Sequence, residues 1–323
     1  MPAQPEAFFL PADGGRLGQR FCLFHPAQGD VPKGTVLYIH PFAEEMNKSR
    51  RMAALQARAL AKAGYAVLQI DLLGCGDSSG DFGDASWEDW VGDVVQGCRW
   101  LRSRTNPQGA EPGSVPLWLW GLRAGCLLAA EAARHLTEPC NFLFWQPPSA
   151  GKQLLKQFLR LKVASDMLGG QAKGVMEGLR QQLAGGTSVE IAGYMLSAGL
   201  ASGLEQVALL PAPARWGAEH ATLLPPTAGT TLEHMDLLTP LATPDYPPRL
   251  EWLEVSARED ASLNPASSKS ITQWSQSGFA ARSHIVNGPS FWQTTEIEDA
   301  PALITATVAA MSFAGPAQAA VAA

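Results

Sequence analysis

Pro116-Leu117-Trp118-Leu119-Trp120-Gly121-Leu122-Arg123-Ala124-Gly125 is the stretch from which the fold is read. An apolar run of strand character ends in Gly-Leu-Arg-Ala-Gly, and Cys126-Leu127-Leu128-Ala129-Ala130-Glu131-Ala132-Ala133 follows at once with small, helix-forming residues. Two glycines four residues apart allow a sharp reversal and let strand and helix pack closely. The pattern predicts a strand, a tight turn presenting Arg123, and a helix that opens at Ala124.

Working outward, the same alternation repeats. Residues 7–11 and 16–25 suit two short strands around Asp13-Gly14-Gly15. Thr35 to His40 is a β-branched, almost continuous apolar run, as in a strand buried on both faces. Asn47 is read as the cap of a helix carrying Met52, Leu55, Ala59, Leu60 and Ala63 at helical spacing. Residues 65–70 form the next strand, and the turn-rich Asp71-Leu72-Leu73-Gly74-Cys75-Gly76-Asp77-Ser78 the loop after it. Ser86 with Asp89 resembles a capping box before a helix that runs to about Leu101. Residues 141–145 make a further strand.

Near Ser149 the alternation stops. Gly-rich helical pieces follow, then a segment with eight prolines between Pro211 and Pro248, read as irregular. Strands at 250–255 and 281–286, with helices near 266–275 and 297–311, resume the pattern. The expected organisation is a mostly parallel, doubly wound core over 1–148, a cap or insert over 149–248, a second part of the core over 249–314, and a flexible tail over 315–323. No internal repeat is present.

A chain of 323 residues with 46% hydrophobic and 17% charged residues is long and apolar enough for a large core. Its net charge of −6 and pI near 5.5 argue against nucleic acid, whose binding needs a basic footprint. The sequence has no basic, apolar leader and no apolar run of about 18 residues, so neither a secretory signal nor a membrane span is read. The odd set Cys22, Cys75, Cys98, Cys126 and Cys140 has no C-x-x-C pair, which points to reduced thiols, no metal and a cytoplasmic setting. No cofactor motif is found.

Five ordered motifs carry a resemblance. They are His40-Pro41-Phe42-Ala43-Glu44-Glu45-Met46-Asn47-Lys48, the Asp71 loop, Gly121-Leu122-Arg123-Ala124-Gly125, Trp145-Gln146-Pro147 and Gly288-Pro289-Ser290-Phe291-Trp292. The strand–turn–helix around Arg123 matches the nucleophile elbow of α/β-hydrolases. The ordered set resembles the group called exosortase A system-associated hydrolase 2. That resemblance implies an α/β-hydrolase fold with a cap after the sixth strand. It also implies a cytoplasmic bacterial protein encoded near exosortase and exopolysaccharide genes, and hence a possible protein partner from that system. It implies no substrate.

The catalytic residues of such a fold are only partly present. Serine-type acyl transfer needs a nucleophile, a histidine and an orienting carboxylate. Arg123 holds the nucleophile's place and stays protonated. Ser290 or Phe291 holds the histidine's place. Only Asp260, after the strand at 250–255, suits the acid. By the resemblance, the backbone N–H groups of Phe42 and Ala124 would form an oxyanion hole. A guanidinium at a helix N-terminus is unfavourable alone, by ~0.3–1 kcal/mol, so it needs an anion. Glu44, Glu45, Asp260 or a bound carboxylate or phosphate are the candidates.

Two functions remain open from the sequence. One is a hydrolase or acyl transferase acting on an ester or thioester through water, with Glu44 or Glu45 as base. The other is a pseudoenzyme that binds a carbonyl-bearing or anionic small molecule, or a protein, around Arg123. His40, Trp145, Gln146, Phe291 and Trp292 are the further candidates for the ligand site, at carboxyl ends of strands. Of these, His40 is read first as a support for the oxyanion loop. Cys75 and Cys126 are read as buried hydrophobes, Lys152, Lys156 and Arg160 as a solvated helix face, and His220 and His234 as surface residues.

Overall fold

The computed structural model describes residues 4–105, 115–168, 174–212 and 247–312. The chain runs β1 (Glu6–Pro11), β2 (Gln19–His25), β3 (Gly34–Ile39), α1 (Glu44–Lys62), β4 (Tyr65–Ile70), α2 (Trp87–Thr105), β5 (Leu117–Leu122), α3 (Ala124–Ala133) and β6 (Cys140–Trp145). Next come α4 (Gly151–Leu168), α5 (Val175–Ala184), β7 (Val189–Ile191), β8 (Tyr194–Leu196) and α6 (Ala198–Gln206). The core closes with β9 (Arg249–Ser256), α7 (Pro265–Gln276), β10 (Ala280–Asn287) and α8 (Pro301–Ser312).

Eight strands form one sheet in the order β1-β2-β4-β3-β5-β6-β9-β10, antiparallel where β2 meets its neighbours β1 and β4 and parallel from β4 onward. β3, β5 and β6 are buried at every position, which is why their sequences run apolar rather than alternate. Helices α2, α3 and α7 send Val94, Leu127 and Trp274 to one face, while α1 and α8 send Met52 and Leu303 to the other. The doubly wound α/β architecture expected from the sequence is therefore present.

Register positions the site. Ile39 lies opposite Gly121, Leu122 opposite Trp145, and Trp145 opposite Leu253. His40, Arg123, Gln146 and Glu254 thus stand side by side at the carboxyl edge of adjacent strands. The ladder continues into the turns, with Arg123 N donating to Trp145 O at 3.0 Å and Gln146 N to Leu253 O at 2.8 Å.

Two local expectations change. Helix α1 begins at Glu44, three residues before the Asn47 cap read from the sequence, because Ala43 turns the chain with φ 48° and ψ −124°. Glu44 and Glu45 therefore occupy a helix first turn, where carboxylates are favoured, and not a loop. The block after β6 also contains a hairpin, β7–β8, turning through Ala192 (φ 51°) and Gly193 (φ 84°). The predicted capping box does form: Ser86 N donates to Asp89 Oδ2 at 3.0 Å and Asp89 N to Ser86 Oγ at 3.1 Å.

Candidate functional site

The turn at Arg123 is built as the glycines require. Arg123 has φ 54° and ψ −115°, a conformation that costs a non-glycine residue of order 1–3 kcal/mol. A Cβ on Gly121 would stand 2.5 Å from Cys126 N, and one on Gly125 would overlap the Ile39 carbonyl. Both contacts are to backbone, so α3 can press against β3 and β5 only with glycine at these two places.

The guanidinium at that turn is held through Nε and Nη2. Arg123 Nε donates to Glu45 Oε1 at 3.2 Å and Oε2 at 3.4 Å, and Nη2 lies 3.2 Å from Oε1. Nη2 also donates to Gln157 Oε1 on α4 at 3.1 Å, and the Trp292 ring centroid lies 5.9 Å away. Of the anions left open by the sequence, Glu45 is the one in contact. The Arg123 and Glu45 side chains are each 11% exposed, so solvent screens their attraction little. Burial pushes the Glu45 carboxyl up, against the opposing pull of Arg123 and of a hydrogen bond with Gln293.

Glu44 differs from its neighbour. Its Oε2 is buried without a hydrogen-bond partner among the described residues. Burial raises its proton affinity too, with its own backbone amide, Lys48 and Arg123 acting in the opposite direction. A carboxyl held in this way can exchange a proton nearer neutrality than a solvated one.

The other candidates separate into those at the site and those away from it. His40 Nδ1 donates to Pro41 O at 2.8 Å, and its Nε2 accepts from Leu72 N at 3.3 Å. Burial lowers its pKa, so it is a neutral brace for two loops. Asp260 is exposed, whereas Arg123 is paired elsewhere; the acid expected at that place is not brought to the guanidinium. Trp145 and Phe291 also depart from expectation. Trp145 is core-buried, its indole N–H donating to Thr307 Oγ1 at 3.0 Å, and Phe291 is wholly buried against Trp145 and Trp292. Their rings complete the core instead of facing a cavity.

Two cavities flank Arg123 under α4. One, of about 390 Å³, has an apolar side of Phe42, Phe158, Leu161 and Trp292 and a polar side of Glu44, Glu45, Lys48 and Gln293. The other, of about 330 Å³, is bounded by Arg123 with Gln146, Gln153, Glu254, Ser267 and Ser270. Leu154 and Gln157 border both. Both volumes fall near the lower end of the roughly 300–1,000 Å³ usual for small-molecule sites. The backbone N–H groups of Phe42 and Ala124 have no acceptor among the described residues, and α3 begins at the second of them.

Gln157, Gln293, Glu254 and Ser267 were not read from the sequence as site residues. Gln157 stands on the same helix as the basic positions already noted, but nothing in its own spacing singles it out. Glu254 lies at the carboxyl end of β9, a position that could have flagged it.

Chemistry familiar for such an elbow is missing among the described residues. Of the described histidines, His25 bonds Gln69, His40 braces its loop, His135 is exposed and His284 pairs with Glu251. His220 and His234 lie outside the described residues. All five cysteines are buried, and burial holds the Cys75 and Cys126 thiols far above their ordinary range. The described residues contain no group of three or more His, Cys, Asp or Glu placed to hold a metal, and no helix long and apolar enough to cross a membrane.

A family model described as serine aminopeptidase, S33 matches residues 30–164, which include the Arg123 turn. Human protein ABHD12B is 29% identical over 121 residues, covering 38% of this chain and 30% of that protein, so the chain spans under a third of its curated relative. Among solved structures, Est1E from Butyrivibrio proteoclasticus with ferulic acid bound is 13% identical with a TM-score of 0.58, covering 94% of this chain and 98% of that one. A soluble variant of monoglyceride lipase from Saccharomyces cerevisiae is 16% identical with a TM-score of 0.54, covering 96% and 94% respectively. Sheet order, elbow and these likenesses agree: the chain has the α/β-hydrolase fold, with an arginine at the turn that gives the fold its nucleophile.

Proposed function

We propose that this chain is a hydrolase-fold binding protein without serine chemistry, holding a small molecule that carries a carbonyl group beside Arg123. The observation that carries the reading is the guanidinium at the elbow, locked by Glu45 and Gln157. A side chain that is permanently protonated and triply engaged has no electron pair to offer an acyl carbon. The free N–H groups of Phe42 and Ala124 suit a carbonyl oxygen, and Phe42, Phe158, Leu161 and Trp292 suit an apolar chain beside it. Because Glu45 balances Arg123 and Lys48, which borders the same cavity, acts on Glu44, a neutral carbonyl is favoured over an anionic group. Association with an exosortase and exopolysaccharide system, and a cytoplasmic place of action, belong to this proposal and rest on the five ordered motifs.

The test is labelling with a serine-hydrolase phosphonate probe beside a panel of esters and acyl thioesters. The expected result is no labelling and no turnover, with measurable binding of medium-chain acyl amides that weakens at least tenfold in Arg123→Ala. Labelling of the wild-type protein, or unchanged binding in the variant, would overturn the proposal.

A second reading is favoured by one feature, the unpartnered Oε2 of Glu44. As a general base it would take a proton from water as the water oxygen attacks an ester carbonyl, and would return that proton to the alcohol oxygen as the ester C–O bond breaks. Turnover without phosphonate labelling, abolished in Glu44→Gln, would establish that reading in place of the first.

A further inference from the structure

The second cavity differs in chemistry from the first. Its walls carry the amides of Gln146 and Gln153, the hydroxyls of Ser267 and Ser270, and the carboxylate of Glu254. Several of these groups are fixed by the fold. Gln146 Oε1 accepts from Val255 N at 2.9 Å, which leaves its NH₂ for another partner. Glu254 Oε1 accepts from Trp252 Nε1 at 2.9 Å and from Ser267 Oγ, while Asn264, capping α7, accepts from Ser267 N at 2.9 Å. Fixed donors and acceptors of this kind bind with little ordering cost.

Charge narrows the occupant further. The Arg123 guanidinium bordering this cavity is already matched by Glu45, and Glu254 adds a negative charge. An anionic group would meet Glu254 without a spare cation. A cationic group would share the cavity with the Arg123 guanidinium and would have only Glu254 Oε2 to meet, since Oε1 already takes the donors of Trp252 and Ser267. Neutral hydroxyls, which both donate and accept, satisfy the amides, the hydroxyls and the carboxylate together.

The two cavities are also adjacent. Leu154 and Gln157 border both, and the Gln157–Arg123 hydrogen bond stands between them. Gln157 is a solvent-facing residue of α4, so a rotamer change would open a passage at small cost. We propose that the polar cavity is a binding site for a neutral, hydroxyl-rich head group whose apolar chain lies in the neighbouring cavity, with Arg123 and Gln157 at the joint. This rests on the reading of the first cavity as a site for an apolar chain.

The test compares n-octyl β-D-glucoside, octan-1-ol, octyl phosphate and octylamine, all below micellar concentration, by calorimetric titration of the full chain. Wild-type protein should bind the glucoside at least tenfold more tightly than the alcohol and more tightly than either charged amphiphile. Gln153→Trp fills the polar cavity from an exposed position on α4. It should bring the glucoside down to the affinity of the alcohol and leave the alcohol unchanged. Leu161→Asp, at a half-exposed position bordering only the apolar cavity, should weaken both about tenfold. A glucoside preference that is absent in the wild type, or that survives Gln153→Trp, overturns the proposal while leaving the apolar site standing. A charged amphiphile bound more tightly than the glucoside also overturns it. Failure of the alcohol itself to bind would remove the underlying reading of the first cavity. Unchanged thermal melting of both variants is the control for folding.

Discussion

Two strand-to-helix turns stand side by side in this protein, and they share a backbone but not a chemistry. Ala43 before α1 has φ 48° and ψ −124°; Arg123 before α3 has φ 54° and ψ −115°. Neither is glycine, and neither helix has a side-chain cap. At the first turn the side chain is a methyl group, and two glutamates follow it into the helix. At the second the side chain is a guanidinium, and Ala-Gly-Cys follows with no acid. Each helix start lacks what the other has in excess. Glu45, in the positive first turn of α1, reaches across to Arg123, which by itself would oppose the positive end of α3. The comparison teaches that the two turns carry the same backbone strain, while the charge at the second is settled by the helix that follows the first.

That comparison can be broken at the glycine first. Gly125→Ala places a methyl group into the Ile39 carbonyl and should destabilise the fold by about 3 kcal/mol or more, read as a lowered urea midpoint. A variant with wild-type stability would mean that α3 is not pressed against β3. The next largest effect is expected at the bridge between the turns. Glu45→Gln leaves the guanidinium nearly buried without its counter-charge and should cost roughly 3 kcal/mol, while Glu45→Gln with Arg123→Met should recover most of it. If the single and double variants melted together, the pair would contribute nothing to folding.

Smaller changes sharpen the same picture. Ala43→Gly relaxes the strained φ and should stabilise by up to ~1 kcal/mol, since relief of strain exceeds the entropy cost of glycine. The corresponding Arg123→Gly should show no such gain, because it also unpairs Glu45. The last prediction concerns pH. Burial raises the proton affinity of Glu44 in the folded state above its ordinary 4.5. The folded protein therefore holds that proton longer than the unfolded chain, and stability declines as pH rises from 4.5 through the raised value. Glu44→Gln should match the wild type at pH 4 and melt above it at pH 7; a gap that is constant across pH would mean that the Glu44 carboxyl is not held apart from water.

Much of the elbow was legible because its determinants are local. Gly121 and Gly125 flank the turn, the strand before it is apolar throughout, and the small residues after it can only be helix in that context. His40 was legible as a brace from its place just after β3, but its partner Leu72, 32 residues on, came only from the structure. The partner of Arg123 was not legible. With Asn47 read as the helix cap, Glu44, Glu45, Asp260 and a bound anion all remain candidates. Moving the helix start to Glu44 turns Glu45 toward the elbow and leaves Glu44 without a partner. Trp145 and Phe291 misled because strand ends face both the ligand side and the core, and the sequence does not distinguish the two. Gln157, from a helix inserted after β6, could be assigned only when α4 was seen to lie over the strand ends.

The sequence by itself determined the α/β-hydrolase architecture, the strained turn at residue 123 and the absence there of a nucleophile, because each follows from residue type and short-range spacing. Tertiary structure alone decided that Glu45 neutralises Arg123, that two cavities meet beside it, one with an apolar side and one mostly polar, and that Asp260 stands apart. These depend on where distant segments converge, and charges and amides separated by tens or hundreds of residues interact only after the sheet and α4 have brought them within a few ångströms.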